Sequence, residues 1–394
     1  VPRFTLDVDE WQIEQDGARL LLTAGGKENV RKFVSPDHAA VQYGKLIAAK
    51  QAEGWALAAA ASKKAVTAKA EPIEPDLEKA IVANPYDRDA YAVYGDWYQA
   101  QNHPRGELIA LQLADDDDRK IAEATKRHLA RHKAQLLGPL EKYEGLGTES
   151  PLRWHCGFIH AIDLNLEGES VDLGKLVREV VAHSSGRFLA DVTIRDVRQD
   201  AIEGALAALR PETLCSLKIV TTARLERIDV IAKAPLRRLV LKLHDGPSNE
   251  ALETLTRIRP TIKDLHLRLE ATRDQWPALA PLFARADLGI KKLAIRTPHL
   301  VDQILAGLGQ QPMSRSLERL DFALTDPETG VRDLIAQREA FPKLIELVFG
   351  GNRVIARAVA ELKKLVKKVV DVRQDSDDRI LMLDDDQDYY DVQE

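Results

Sequence analysis

The chain has 394 residues, 45% of them apolar and 30% charged, with a net charge of −6. That length is too great for one compact core, so several domains or an array that grows along one axis are expected. Two cysteines, Cys156 and Cys215, exclude a disulfide framework and favour a reducing compartment.

The first residues, VPRFTLDVDEWQ, lack a basic start followed by an apolar run, so no secretory signal is visible. The Ala-rich stretch Trp55–Ala61 is too short and too weakly apolar to span a bilayer. The expectation is a cytoplasmic protein with no membrane partner. Charge is unevenly placed. From Asp371 to Glu394 ten acids stand against two bases, Arg373 and Arg379, so the rest of the chain is slightly basic.

Residues 1–57 read as a small α+β domain. Phe4–Leu6, Trp11–Glu14 and Arg19–Thr23 are strand-like, with Asp16-Gly17 as a turn and Gly25-Gly26 as a loop. Ser35 is placed to cap a helix that begins at Pro36 and presents Ala40, Tyr43, Leu46 and Ile47 on one face. The residues Phe33, Ser35, Ala39, Ala40, Lys50, Gly54 and Trp55 together resemble the second half of a WGR domain. The Trp-Gly-Arg triplet that names that family is absent, and Leu22–Gly26 stands near its place. Some WGR domains contact nucleic acid, and the missing Trp and Arg weigh against that activity here.

Residues 58–75, small and Lys-dotted with Pro72 and Pro75, read as an exposed linker open to proteolysis. Residues 76–150 read as helical, with two helices around Pro104-Arg105-Gly106 and Tyr94, Trp97, Leu108, Ile109 and Leu111 between them. The run Asp115–Asp118 precedes a basic helix from Arg119 to Leu137, where acids offset the positive end of the helix dipole. Asn84, Pro85, Asp87, Asp96, Trp97, Pro104–Leu108 and Leu111 resemble a repeat-companion domain, a module that precedes leucine-rich repeats in bacterial, myxobacteria-like proteins. No activity transfers with that likeness. It implies a cap at the front of a repeat array.

The array follows in residues 151–374. Apolar-x-x-apolar-x-apolar occurs eight times, starting at Ile159, Leu189, Leu214, Leu236, Ile262, Ile290, Leu317 and Leu344, with starts 22 to 30 residues apart. A period in that range signals a stacked solenoid, because one unit cannot bury its apolar face alone. Alternation turns the pattern residues inward and their neighbours to solvent. Helical stripes such as Leu173/Leu176/Val177/Val180 and Leu252/Leu255/Ile258 lie between the strands. The pattern resembles the leucine-rich repeat family, and the resemblance implies an α/β horseshoe with parallel strands inside and helices outside. The asparagine usual at the ninth position occurs only once, as Asn352, so the array is expected to be irregular. A short closing strand is expected at Val369–Val372 or Ile380–Leu383, and residues 375–394 form an acidic tail.

Three adjacent repeats carry a cluster of cations at solvent-side strand positions: Arg237, Arg238, Lys242, Lys263, His266, Arg268, Lys291, Lys292 and Arg296, with Asp264 among them. Clustered charge sets the sign of a partner and its rate of arrival. These residues predict a concave face that receives a protein with an acidic surface. The alternative is nucleic acid, held by this stripe and the WGR-like domain. No catalytic, cofactor-binding or metal-binding set stands out, and the chain reads as a non-enzymatic scaffold. His128 and His132 have zinc-compatible spacing but no third ligand, and the basic helix around them predicts solvated rings. His155, Cys156 and His160 read as packing at the start of the first repeat.

Overall fold

In this computed structural model, residues 3–372 are described apart from 7–8, 17, 25–26, 34, 53–55, 58–70, 115–118, 147–149, 166–170, 245–246, 297–300, 324–333, 351–359, 361, 364–365 and 367. Most of the expected linker and the whole acidic tail fall outside the described residues. The chain divides into two compact units, 1–71 and 72–394.

The first unit is an antiparallel sheet with one helix. Strands β1 (Arg3–Leu6), β2 (Asp9–Asp16), β3 (Arg19–Ala24), β4 (Lys27–Lys32) and β5 (Ala56–Leu57) lie in the order β4-β3-β2-β1-β5. Helix α1 (Pro36–Ala52) begins where Ser35 Oγ accepts from the His38 backbone N–H at 3.2 Å. The small core joins Ile13, Leu20 and Leu22 to Ala39, with Phe33, Tyr43, Leu46 and Ile47 packed against it. Two expectations change. Ala39 rather than Ala40 faces the sheet, since it lies two full turns before Ile47. Lys27–Lys32, too polar to be read as a strand, becomes one by pairing with β3 along its whole length.

The second unit opens with four helices: α2 (Pro75–Ala83), α3 (Arg88–Ala100), α4 (Pro104–Leu113) and α5 (Arg119–Leu136). Asp87 caps α3 by accepting from the N–H groups of Asp89 and Ala90. Helices α3 and α4 approach so closely that a Cβ on Gly106 would lie 2.6 Å from the Gln99 nitrogen, which explains the glycine at the start of α4. Tyr94, Leu108 and Ile109 are buried, while Trp97 and Leu111 are only half-buried.

A sheet of ten strands follows. The strands β6 (Leu152–His155), β7 (Phe158–Asn165), β8 (Asp191–Arg195), β9 (Ser216–Thr221) and β10 (Arg238–Leu243) are joined by β11 (Asp264–Leu269), β12 (Lys292–Arg296), β13 (Arg319–Ala323), β14 (Glu346–Gly350) and β15 (Lys368–Val372). They lie in sequence order across the sheet. All neighbours from β7 to β15 are parallel; β6 pairs antiparallel with β7 through a Cys156-Gly157 turn in which both residues have positive φ. The fold class is therefore α/β with a mostly parallel sheet. The closing strand forms at Lys368–Val372, and Ile380–Leu383 lies outside the described residues.

The register follows the apolar pattern. Leu164, Ile194, Ile219, Leu241, Leu267, Ile295 and Phe322 stand side by side on successive strands. So do Ile162, Val192, Leu217, Leu239, Leu265, Leu293 and Leu320. Both rows are buried in one continuous core with the apolar stripes of α6 (Leu173–Ala182), α7 (Gln199–Ala208), α8 (Val230–Lys233), α9 (Asn249–Leu255), α10 (Trp276–Phe283) and α11 (Val301–Leu308). A slip of one residue would expose every member of both rows, which is why the pairing is unambiguous.

Hydroxyls link several of the repeats where the asparagine is missing. The residue just before the apolar pattern donates to the carbonyl of the preceding repeat: Thr213 to Leu189 at 2.7 Å, Thr261 to Leu236 at 2.9 Å and Ser316 to Ile290 at 2.8 Å. Each satisfies a backbone acceptor that lies just before a strand.

Candidate functional site

The core takes one face of the ten-stranded sheet, and the alternate strand positions make the other. On that open face the helices of the second unit already occupy the beginnings of the first strands. Tyr86, in the turn before α3, donates to Asp191 Oδ1 at 2.5 Å and meets the His160 ring at 5.1 Å between centroids. Arg237 Nη2 donates to Asn84 Oδ1 at 2.9 Å, and its guanidinium lies 5.3 Å from the Tyr86 ring centre. Glu78 pairs with Arg187.

Helix α4 grips the β6–β7 turn. Arg105 is fully buried, donates to the Gly157 carbonyl and to Ser185 Oγ (2.9 Å), and sits 4.5 Å over the Phe158 ring. Gln112 Oε1 accepts from the Gly157 N–H at 2.6 Å. An aromatic cluster of Tyr91, Tyr94, Tyr98, Phe158 and Phe188 completes the joint.

The cations expected on this face do not form one stripe. Register sorts them into rows. In the row nearest the strand starts, Arg237, Lys263 and Lys291 follow one another through backbone bonds, with Lys263 N donating to Arg237 O and Lys291 N to Lys263 O. Arg237 is committed to Asn84, and Lys291 pairs with Glu318 at 3.3 Å.

The next row runs Asp191, Ser216, Arg238, Asp264, Lys292, Arg319, Glu346 and Lys368. It is largely self-neutralised. Arg238 and His266 lie 3.4 and 2.6 Å from the Asp264 carboxylate, and Arg319 lies 3.8 Å from Glu346. Burial would raise the Asp264 carboxyl, but His266, Arg238 and Lys292 outweigh it and hold the group below its ordinary range.

The row at the strand ends keeps one sign. Arg195, Val220, Lys242, Arg268 and Arg296 are in register on five adjacent strands. Lys218 lies on the neighbouring open-face row of β9, two residues before Val220. The sequence reading missed Arg195 and Lys218 because they lie two repeats and one repeat before the densest cluster. The signal that finds them is alignment of each strand on its apolar pattern.

Not every intervening position is open to solvent, as alternation alone had suggested. Lys242 is only 8% exposed, and Val240, Ala294, Asp321 and Val348 are also buried. Same-row side chains stand about 4.8 Å apart in a parallel sheet. Short residues such as Val240 and Ala294 are therefore covered by longer neighbours such as Lys218 and His266. Lys263, Arg268 and Lys291 keep at least partial exposure.

The histidines behave differently from expectation. His128 is buried: its Nε2 lies 2.8 Å from the Pro104 carbonyl and its Nδ1 3.3 Å from Glu107. It packs the basic helix against α4, so it is not a solvated residue. Burial, with help from His128, holds His132 below the ordinary histidine range. His155 is pushed down to about 4 by burial first and by His160 and Arg88 next. Burial raises the Cys215 thiol to about 11, which keeps it protonated and unreactive. Among the described residues no group of three His, Cys, Asp or Glu side chains is placed to hold a metal ion. Within the same residues, no helix is long and apolar enough to cross a membrane. An open groove of about 430 Å³ lies beyond the strand ends, lined by Arg224, Asn249, Glu270, Thr272, Asp274 and Gln275 among others.

No family model matches the chain, and no curated protein matches it. A crystal structure of a protein from Bacteroides fragilis is similar at 16% identity with a TM-score of 0.43, covering 95% of this chain and 97% of that one.

Proposed function

We propose that the chain is a non-enzymatic scaffold of the leucine-rich repeat type that binds an acidic protein partner on the concave face of its horseshoe. In this reading residues 1–57 are a WGR-like domain and residues 76–150 a companion cap. The observation that carries it is the one-signed row Arg195, Lys242, Arg268 and Arg296 with Lys218 beside it. The adjacent row compensates its own charges. Like charges in register on neighbouring strands attract and orient an oppositely charged surface.

Capture from native lysate, compared between the wild type and a Lys218→Glu/Arg268→Glu variant, tests the reading. Loss of the captured protein is expected. Lys291→Glu, outside the row, should leave capture intact. Retention by the double variant would sink the reading.

Nucleic acid is the competing occupant, because phosphates would meet the same cations. The row carries no aromatic residue to stack on a base, which disfavours single strands. A gel shift that persists near physiological salt and weakens steeply above it would transfer the function to nucleic acid.

A further inference from the structure

Helix α5 carries six cations against one acid, Glu123, in its 18 residues. Its inner side is closed by the buried His128 and Leu136, and Glu107 meets His128 there at 3.3 Å. Some of the cations are already matched. Lys133 lies 2.6 Å from Glu144 and 3.3 Å from Glu141, and Arg119 lies 3.3 Å from Glu123. Lys120 is engaged as well.

Lys126, Arg127 and Arg131 are different. All three are exposed, and among the described residues no carboxylate pairs with them. Arg127 Nε donates only to the Glu123 backbone carbonyl, at 3.3 Å. The acids Asp115–Asp118 precede the helix in sequence and lie outside the described residues. Arg119, the first residue after them, is seven residues before Lys126, about 10 Å along the axis. That exceeds the screening length of about 8 Å at physiological salt.

Helical spacing sorts the three cations into two flanks. At about 100° per residue, Lys126 stands on one side of Ala130 and Ala134, and Arg127 and Arg131 stand on the other. Glu123 lies on the middle strip one turn earlier. The helix is regular to Arg131, and the backbone departs from it at His132. A straight rod with small side chains between two basic flanks has the outline of a groove filler. An α-helix is about 10–12 Å across, and the major groove of DNA is about 12 Å wide. The alanines admit close approach, and each flank then meets the phosphates of one strand. The exposed positions of α5 hold no large apolar or aromatic residue, so they offer nothing to sink into a bilayer or to stack on single-stranded bases.

We propose that the outer side of α5 binds the phosphates of duplex DNA from the major groove, without reading its sequence. The site is separate from the basic row of the sheet and does not depend on the partner reading. With three cations the contact is weak and salt-sensitive, since each neutralised phosphate adds about −0.9 to the slope of log affinity against log salt.

Fluorescence anisotropy of a labelled DNA duplex of about 20 base pairs, titrated with the full chain between about 50 and about 200 mM salt, tests the proposal. The Lys126→Ala/Arg127→Ala/Arg131→Ala variant removes the cations at exposed positions and leaves the best helix former there, so the fold is kept. Its affinity near 50 mM salt should fall by about tenfold or more, and its salt slope should flatten by about 3. No DNA binding by the wild type at that salt would overturn the proposal, as would equal binding by a variant that is as helical as the wild type.

Three comparisons locate the contact. Lys218→Ala/Arg268→Ala should bind DNA within about twofold of the wild type. Loss in that variant alone would overturn the proposal and move nucleic acid to the sheet face. A duplex RNA of the same sequence, whose major groove is deep and narrow, should bind more weakly, and equal binding would overturn entry into the groove. Poly-glutamate that binds more tightly than the duplex, and loses that binding in the α5 variant, would make the occupant an acidic protein and overturn the proposal as well.

Discussion

Arg237 and Asn84 are 153 residues apart in sequence and share a hydrogen bond of 2.9 Å. The contact ties the turn between α2 and α3 to the fourth apolar repeat. It also removes from the partner surface a cation that strand position alone would place there. With Tyr86 on Asp191 and Glu78 on Arg187, it makes the helical module part of the repeat array.

That junction has a measurable energy. Arg237→Ala and Asn84→Ala should each lower stability, and the pair should show a coupling of about 1 kcal/mol in a double-mutant cycle from urea unfolding. A coupling of zero would mean that the guanidinium is held by the Tyr86 ring alone.

The β6–β7 turn admits no side chain at Gly157. Its φ is +82°, and a Cβ there would lie 2.5 Å from Ile109 Cγ1. Gly157→Ala therefore combines backbone strain with overpacking, and a loss of about 2–4 kcal/mol in unfolding free energy is expected from urea titration. Reducing Ile109 to Ala in the same chain should return none of the strain from φ. A Gly157→Ala protein as stable as the wild type would refute the close packing of α4 on the turn.

Arg105 is held by the Gly157 carbonyl, Ser185 Oγ and the Phe158 face. Arg105→Lys keeps the charge but loses the planar fork that serves two acceptors at once. A loss of about 3 kcal/mol is expected, the scale of a disrupted buried charge network. A shift of under about 1 kcal/mol would mean that the network relaxes around an ammonium.

The hydroxyl links between repeats predict a graded effect. Thr213→Val and Thr261→Val keep the shape and remove the donor to Leu189 O and Leu236 O. Each should cost about 1 kcal/mol, and the two should add because they lie in separate repeats. Neutral substitutions would mean that the carbonyls find water instead.

His155 sets part of the acid sensitivity. Its folded value lies near 4, against an ordinary 6.5, because burial first and then His160 and Arg88 oppose the charge. The unfolded chain therefore takes up the proton before the folded chain does. The contribution is complete above pH 6.5 and is lost as the pH falls towards 4, by about 3 kcal/mol at most. Thermal unfolding of the wild type and His155→Asn at pH 7, 5.5 and 4.5 checks it: the variant should show the shallower decline, and parallel declines would refute the assignment.

Much of the second unit was legible in advance. The apolar pattern marks every strand from Ile159 to Phe349, since a strand with its pattern residues exposed would give up the burial that holds it in place. Local signals also place the Ser35 cap and the Pro104 helix start. The strand at Lys27–Lys32 carried no such signal, since its structure comes from pairing with β3. Ala39 and Ala40 are chemically equal, and only the packing of α1 selects between them.

The surface is another matter. Sequence by itself determined which strand residues face away from the core, because alternation and hydrophobic burial are local rules. Tertiary structure alone decided which of those charges survive as a surface. Arg238 and Asp264 belong to different repeats and neutralise each other only because the register sets them side by side, and Arg237 is claimed by a turn far back in the chain. Charge interactions depend on distance in space and on burial, and neither can be read from spacing along the chain.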